Sequence, residues 1–246
     1  MAISRRGLRS RGHAFGYTES SADFAIKPEP TALGVLRRVR AAVRLEATLG
    51  LTWQAALDRV RKQGRAIWNG LQVAERRRLV LKLRVWWDVH RFRIAPPVEA
   101  VLDRLEEGGR LVVAAGHLHR AETVLEGLQP DWRQKGEVLR HDTFDAVILT
   151  TGPAHDAILE SSGMWAGLAR QGLLRADPLQ LGLDVNEKSL ALDVQGMPVP
   201  GLYIAGPLVR GQFGELMGIP EVTANTELVA SHLARRHREI VDLQTA

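Results

Sequence analysis

The chain has 246 residues, 45% of them hydrophobic, which is enough apolar material for one large domain or two small ones. It contains no cysteine, which excludes disulfides and thiolate metal sites and fits a reducing cytoplasm. The net charge of +5 is uneven, because residues 1–123 carry 23 basic and 12 acidic side chains whereas residues 124–246 carry 10 and 16. This asymmetry suggests either two functional halves or an anionic partner for the first half, such as nucleic acid or a phosphorylated cofactor. The commonest explanation of such a pattern is arginines that solvate exposed helix faces.

The chain opens with "MAISRRG", which predicts the end of a strand and a turn at Gly7. Residues 8–30 are typical of a loop that ends in the stiff segment "KPEP". From Thr31 to about Leu105 the apolar residues recur every three or four positions, with arginines between them, so we predict a helical region. No apolar run approaches the roughly 20 residues of a membrane span. The N-terminus also lacks the apolar core of a secretory signal, so we expect a cytoplasmic protein with no membrane partner.

Strand patterns follow the helical region. "GRLVVAAGHL" predicts a strand with an exit turn, and the continuous apolar run Ala146–Leu149 predicts a central strand of a parallel sheet covered on both faces. The last 45 residues predict a short apolar strand, Leu202–Ala205, and a closing helix from Glu221 to about Arg236. The fold class is therefore α/β.

Two glycine-bearing strand ends are candidate ligand sites. The first is "FDAVILTTGP", with Gly152 and Pro153 after the apolar run, and the second is "VPGLYIAGPLVRGQFGELMGIPEV". In open α/β sheets, ligands bind at the carboxyl ends of the strands, and glycine lets backbone approach a cofactor. The alternative is close packing of a helix on a sheet. The order of strand, turn, glycines and helix favours the cofactor interpretation, with binding positions Gly206, Pro207, Gly211, Gly214 and Glu221.

Arg5 and Arg6 follow the first predicted strand. In a dinucleotide fold, arginine at the end of the second strand accommodates the 2′-phosphate of NADP, although a basic surface loop has the same sequence pattern. The eight histidines are scattered and no carboxylate cluster accompanies them, so we predict no metal site. Nothing singles out a catalytic acid or base, and the catalytic residues are unknown.

The segments "ISRRGLRSRGH", "WWDVHRFRIAPPVEAVLDRL", "FDAVILTTGPAH", "GLLRADPLQLGLDV" and "YIAGPLVRGQFGELMGIPEV" together resemble a known family. The resemblance is to the C-terminal half of bacterial FAD/NAD(P)-binding proteins, relatives of flavin N-monooxygenases and urate-hydroxylase-type flavoproteins. It implies an incomplete two-dinucleotide-binding-domain fold with a helical insertion. Residues 1–152 would be the remainder of an NAD(P)-binding domain, with its helical region at about 31–105, and residues 153–246 the C-terminal part of an FAD-binding domain.

The resemblance also implies FAD and NADP as cofactors, with Gly206 and the region 207–221 near the flavin and Arg5 and Arg6 on the 2′-phosphate. The chain departs from the family in two places: it has no G-x-G-x-x-G motif, and Pro207 follows Gly206 where many relatives have Asp. Both departures argue against flavin binding by this chain alone. We expect a truncated reading frame, a natural fragment or half of a split protein.

Three hypotheses about function follow. The first is an FAD- and NAD(P)H-dependent oxidoreductase, with monooxygenases among its relatives, acting on a small-molecule substrate. The second is a non-catalytic fragment or subunit that needs a complementing chain, or a second copy, to supply the glycine-rich nucleotide motifs. The third and least favoured is a basic helical module that binds nucleic acid through residues 31–105.

Overall fold

A computed structural model of the chain describes residues 1–134, 136–152 and 155–245 and shows a mixed α/β protein. Two compact units divide the chain. Unit 1 comprises Met1–Thr18 and Leu83–Gly152, and unit 2 comprises Glu19–Lys82 and Pro153–Ala246. Among the described residues, no helix combines the length and the apolar character that crossing a membrane requires.

The helices are, in chain order, α1 (Ala32–Thr48), α2 (Trp53–Lys62), α3 (Gly64–Gly70), α4 (Val73–Lys82), α5 (Arg84–Arg91), α6 (Pro96–Glu107), α7 (Gly163–Arg170), α8 (Arg210–Phe213) and α9 (Ile219–Thr245). The strands are β1 (Ala2–Ser4), β2 (Val113–Val124), β3 (Gly127–Gln134), β4 (Arg140–His141), β5 (Leu190–Leu192) and β6 (Pro198–Tyr203). Single 3₁₀ segments span His155–Glu160 and Gly206–Val209.

Unit 1 contains a four-stranded sheet in the order β1-β2-β3-β4. β1 pairs with β2 in parallel, with Ala2 opposite Val113 and Ser4 opposite Ala115, whereas β3 and β4 add in antiparallel fashion. The predicted exit turn after "VVAAG" is wrong, because β2 runs through Gly116 to Val124. A Cβ at Gly116 would lie 3.0 Å from the ring of buried Trp132, so this glycine makes room for an indole inside the sheet.

The predicted central strand Ala146–Leu149 is also wrong. Residues 146–150 belong to no strand, and the sheet contact that precedes them is a single bridge between Leu128 and Phe144. Ile148 is 83% exposed and Leu149 is 70% exposed. An apolar run becomes a central strand only when strands flank it on both sides, and the described part of unit 1 places none beside this run.

Unit 2 combines the first four helices with the C-terminal strands and α9. Its core is built from eight buried side chains around the β5–β6 pair: Leu174, Leu183, Val185, Ala191, Ile204, Val209, Phe213 and Leu216. The predicted helical region at 31–105 is therefore divided, because α1–α4 belong to unit 2 whereas α5 and α6 belong to unit 1. Gln63 separates α2 from α3, and Leu83 separates α4 from α5, so the predicted helical region is a series of short helices.

Candidate cofactor-binding sites

The turn after β1 presents two exposed arginines. β1 ends at Ser4, and Arg5 and Arg6 form the turn. The N–H of Gly7 closes it by donating to the Ser4 carbonyl oxygen over 3.3 Å and to its Oγ over 3.0 Å. Gly7 has φ +59°, and a Cβ there would lie 2.7 Å from the backbone N of Ala115 in β2. Glycine is therefore required for the turn to lie against the parallel strand pair.

The guanidinium groups of Arg5 and Arg6 make no hydrogen bond or ion pair with any residue in the described part of the chain. Arg9 in the same loop differs, because it forms ion pairs with Asp103 and Glu106 of α6. Unpaired guanidinium groups at the carboxyl end of a parallel strand are suited to an anionic ligand, since each offers several donors in a planar fork.

Gly152 and Pro153 follow the exposed apolar run. Gly152 is exposed with φ +74°, and a Cβ there would meet no atom within 4 Å. Pro153 lies outside the described residues. Gly152 therefore offers open backbone.

Gly206 begins the 3₁₀ turn after β6 and has φ +79°. Its N–H donates to Oδ1 of buried Asn225 in α9 over 2.8 Å, and Nδ2 of Asn225 donates to the Oγ of Ser189 over 3.4 Å. A Cβ at Gly206 would meet no atom within 4 Å, and Pro207 is exposed. Gly206 itself is buried, so the space beside its Cα is not open surface, and its amide is already hydrogen-bonded within the protein.

Gly211 and Gly214 pack against the protein itself. A Cβ at Gly211 would lie 2.4 Å from Oδ1 of Asp177, and a Cβ at Gly214 would lie 2.9 Å from Cγ of Trp68. The Nε1 of Trp68 also donates to the carbonyl oxygen of Gly211 over 3.0 Å. At these two positions the close-packing alternative describes the structure, because a side chain of unit 2 fills the space beside each glycine.

Glu221 lies in the first turn of α9, where a carboxylate is favoured by the helix dipole. Both of its oxygens accept from Arg61 of α2, with Oε1 2.8 Å from Nε and Oε2 3.2 Å from Nη2. This ion pair links the helical and C-terminal parts of unit 2. Glu221 therefore has a structural partner within unit 2.

A polar network across the unit 1 sheet escaped the sequence analysis. Asp131 in β3 accepts from Nε of Arg120 over 2.5 Å and from Nδ1 of His141 over 2.6 Å, because β2 and β4 place these residues on either side of it. The hydrogen bond from Arg120, followed by that from His141, holds the pKa of Asp131 below its usual range. These residues lie 10 and 11 positions apart on successive strands, so the register of the strands places them side by side.

Some basic side chains of α1–α4 contact other groups of unit 2, and others are exposed to solvent. Most basic side chains of α2–α4 are engaged within unit 2: Arg59 with the Ala22 carbonyl, Arg61 with Glu221, Lys62 with Glu19, Arg65 with the Phe213 ring, Arg76 with the Trp68 and Leu71 carbonyls, Arg77 with the Pro178 carbonyl and Arg78 with Glu75. In α1, Arg37, Arg40 and Arg44 are exposed and have no partner among the described residues. Their spacing of three and four residues places them on one helix face.

Within the described residues, no group of three or more histidine, aspartate or glutamate side chains has a geometry that could hold a metal ion.

No protein-family model matches the chain, and no curated protein matches it. Among solved structures, ornithine hydroxylase (PvdA) from Pseudomonas aeruginosa is similar at 19% sequence identity with a TM-score of 0.44. The match covers 67% of this chain and 38% of the hydroxylase chain, so the matched part spans well under half of that enzyme.

Proposed function

We propose that the chain is part of an NADP(H)-dependent flavoprotein oxidoreductase and that its unit 1 contacts the 2′-phosphate of the nucleotide. The observation that carries this proposal is the Arg5–Arg6 turn. It combines two exposed, unpaired guanidinium groups with a glycine-tightened turn at the carboxyl end of a parallel strand pair. Arginine at this place in a dinucleotide fold accommodates the phosphate that distinguishes NADP from NAD.

The residues expected to hold flavin fit only in part. A Cβ at Gly206 would meet no atom within 4 Å and Pro207 is exposed, but Gly206 itself is buried, so a flavin edge would reach this turn from the Pro207 side. Gly211, Gly214 and Glu221 do not fit, because Asp177, Trp68 and Arg61 already occupy their contacts. When both cofactors are bound, NADPH supplies a hydride and flavin accepts it. The contribution proposed for this chain is to bind and orient the two cofactors. Arg5 and Arg6 would hold the 2′-phosphate of NADP, and the turn at Gly206 would lie against the edge of the flavin ring.

Titration calorimetry of the purified chain with NADP⁺, NAD⁺ and adenosine 2′,5′-bisphosphate tests the proposal. We expect NADP⁺ and the bisphosphate to bind about 5- to 150-fold more tightly than NAD⁺, the range of a charge-assisted phosphate contact of about 1–3 kcal/mol. The double variant Arg5→Gln/Arg6→Gln should lose this preference. Arg110→Gln is the matched control, because Arg110 is also exposed but precedes the amino end of β2.

Equal affinity for NADP⁺ and NAD⁺ in the native chain, or an unchanged preference in the double variant, would contradict the proposed role of the two arginines. Flavin is tested separately by the absorbance of the purified protein with and without added FAD. A yellow protein that NADPH bleaches would support the complete oxidoreductase activity. A colourless protein that FAD does not stabilise against heat would exclude that activity for this chain alone.

A complementing chain is the alternative that the exposed run Ala146–Leu149 favours. An unpaired apolar segment with Ile148 and Leu149 largely exposed is a template for another strand. In this alternative the partner, or a second copy, pairs with the run, and the pair binds the nucleotides. Hydrogen exchange of amides 146–149 tests it, because protection should rise sharply when the partner or a higher concentration of the chain is supplied. Exchange that stays fast in a complex able to bind FAD would exclude it.

Nucleic acid binding is a second candidate function, and the arginine row of α1 is the observation that favours it. Arg37, Arg40 and Arg44 lie on one exposed face and span about 10 Å at the helical rise of 1.5 Å per residue. Such a row can contact successive phosphates without reading sequence. Sequence-independent binding that weakens steeply with added salt is the expected behaviour.

A further inference from the structure

The loop that follows the Arg5–Arg6 turn exposes a regular row of side chains. Residues 11–15 alternate between exposed and partly buried, so Arg11, His13 and Phe15 are exposed while Gly12 and Ala14 are not. An extended chain places alternate side chains on the same face, about 6.6 Å apart. One face of this loop therefore carries a cation followed by two aromatic rings.

Within unit 1, the base of the loop is hydrogen-bonded to α5 and to the segment that follows α5. The N–H of Arg11 donates to the Val89 carbonyl over 2.8 Å, and the N–H of His13 donates to the Ile94 carbonyl over 3.0 Å. Ile94 donates in return to the Arg11 carbonyl over 3.0 Å. Gly12 forms an isolated parallel bridge with Ile94, so hydrogen bonds hold the backbone at residues 11–13 in place.

The two aromatic rings are arranged in parallel and face solvent. The centroids of His13 and Phe15 are 6.4 Å apart and their planes differ by 16°. Phe15 is 81% exposed. A phenylalanine this exposed gains little from burial in the fold, and its free face is available to a flat aromatic ligand.

We propose that the His13–Phe15 pair is a stacking platform for the purine base of a nucleotide whose ribose phosphate contacts the preceding arginines. This inference rests on the proposed function, since it adds the base to the phosphate contact assigned to Arg5 and Arg6. Aromatic side chains interleaved with basic ones are the usual means of binding a base and its phosphate together. Arg11, which lies on the same face as the rings, supplies a cation beside the platform.

Titration of the full chain with adenosine 2′,5′-bisphosphate tests the platform, with inorganic phosphate as the competitor that lacks a base. Phe15→Ala should weaken the bisphosphate about 5- to 150-fold, the range of about 1–3 kcal/mol for one stacked base. Phe15→Trp should restore binding because it keeps a stacking face. The competition constant of inorganic phosphate should be the same in the native chain and in both variants, since phosphate meets only the arginines.

Leu125→Ala is the matched control, because Leu125 is 98% exposed in unit 1 at the β2–β3 turn and carries no aromatic face. A native chain that binds the bisphosphate equally well after Phe15→Ala would overturn the platform and leave the phosphate contact intact. A native chain that binds no bisphosphate would overturn the phosphate contact and the platform together. If Phe15→Ala weakens binding of the bisphosphate and Phe15→Trp does not restore it, stacking would also be overturned. Such a result would mean that any change at this position lowers the affinity, whether or not an aromatic face is kept.

Discussion

The indole of Trp68 donates a hydrogen bond from Nε1 to the carbonyl oxygen of Gly211 over 3.0 Å, and the same ring fills the space beside Gly214. Trp68 is 7% exposed and lies in α3, 143 residues from Gly211 in the sequence. The glycine-rich segment is therefore shaped by an indole that packs on it. Its glycines are first a requirement of the fold of unit 2.

Gly211→Ala and Gly214→Ala should each destabilise the protein by about 1–3 kcal/mol. At Gly211 the new methyl group would collide with Asp177, whose oxygens accept from the N–H groups of Leu179 and Leu181 and so cannot move freely. At Gly214 it would collide with Trp68 at a φ of +81°. Urea denaturation followed by tryptophan fluorescence measures both changes.

Gly167→Ala in α7 is the control for these substitutions. A Cβ at Gly167 meets no atom within 4 Å, so alanine should stabilise the helix by about 0.5–1 kcal/mol. Stability of the Gly211 and Gly214 variants equal to that of the native chain would show that these glycines face open space.

The ion pair between Arg61 and Glu221 should contribute more than an exposed pair in the same unit. In a double-mutant cycle with glutamine at both positions, we expect a coupling of about 0.5–1 kcal/mol, because the bidentate pair is 30% and 23% exposed. The pair Lys62–Glu19 is 53% and 73% exposed and should show coupling near zero. Equal coupling in the two cycles would contradict the structural role assigned to Glu221.

The network around Asp131 should make the protein less stable in acid. The hydrogen bonds from Arg120 and His141 lower the pKa of Asp131 in the folded state. Ionised Asp131 therefore stabilises the folded protein at pH values above the usual carboxyl pKa, which is about 4. This stabilisation is lost as the pH falls through the lowered pKa of Asp131 in the folded state. Asp131→Asn should shrink the difference between urea midpoints measured at about pH 7 and about pH 3.

Asp145→Asn is the control for that measurement, since the Asp145 carboxylate pairs with no residue in the ranges the structure describes. This variant keeps the hydrogen bonds around Asp131, so the difference between the two urea midpoints should remain. If Asp131→Asn leaves the difference between the two midpoints unchanged, the network does not couple to unfolding.

If the arginine row of α1 binds nucleic acid, the affinity should fall with added salt as expected for three phosphate contacts. Three neutralised phosphates predict a slope of about −2.7 in log affinity against log salt, or roughly a 40-fold loss between 50 and 200 mM. The triple variant Arg37→Gln/Arg40→Gln/Arg44→Gln should abolish binding to a mixed-sequence duplex. Arg78→Gln, an exposed arginine of α4 that pairs with Glu75, should not change it. Binding that survives in the triple variant would exclude this face as the contact.

Local signals predicted much of the fold, and long-range contacts account for the rest. The turn at Gly7 depends on neighbours in sequence and is found. The strand predicted at Leu202–Ala205 is found earlier, as β6 at Pro198–Tyr203, and the closing helix is longer than predicted, at Ile219–Thr245, with a 3₁₀ turn and α8 between them. The central strand at Ala146–Leu149 needed flanking strands that the sequence pattern cannot supply, and it is absent. Gly211 was assigned to a cofactor because no sequence pattern links it to Asp177. Arg5 and Arg6 are found in the predicted turn, and their ligand stays a prediction.

The apolar run at Ala146–Leu149 also has a consequence for handling the protein. Short apolar segments with unpaired backbone are seeds for cross-β aggregation when they are exposed. Asp145 on one side and Gly152 on the other limit the run, as charged and glycine residues do beside natural aggregation-prone segments. The isolated chain should therefore lose solubility in a concentration-dependent way during purification.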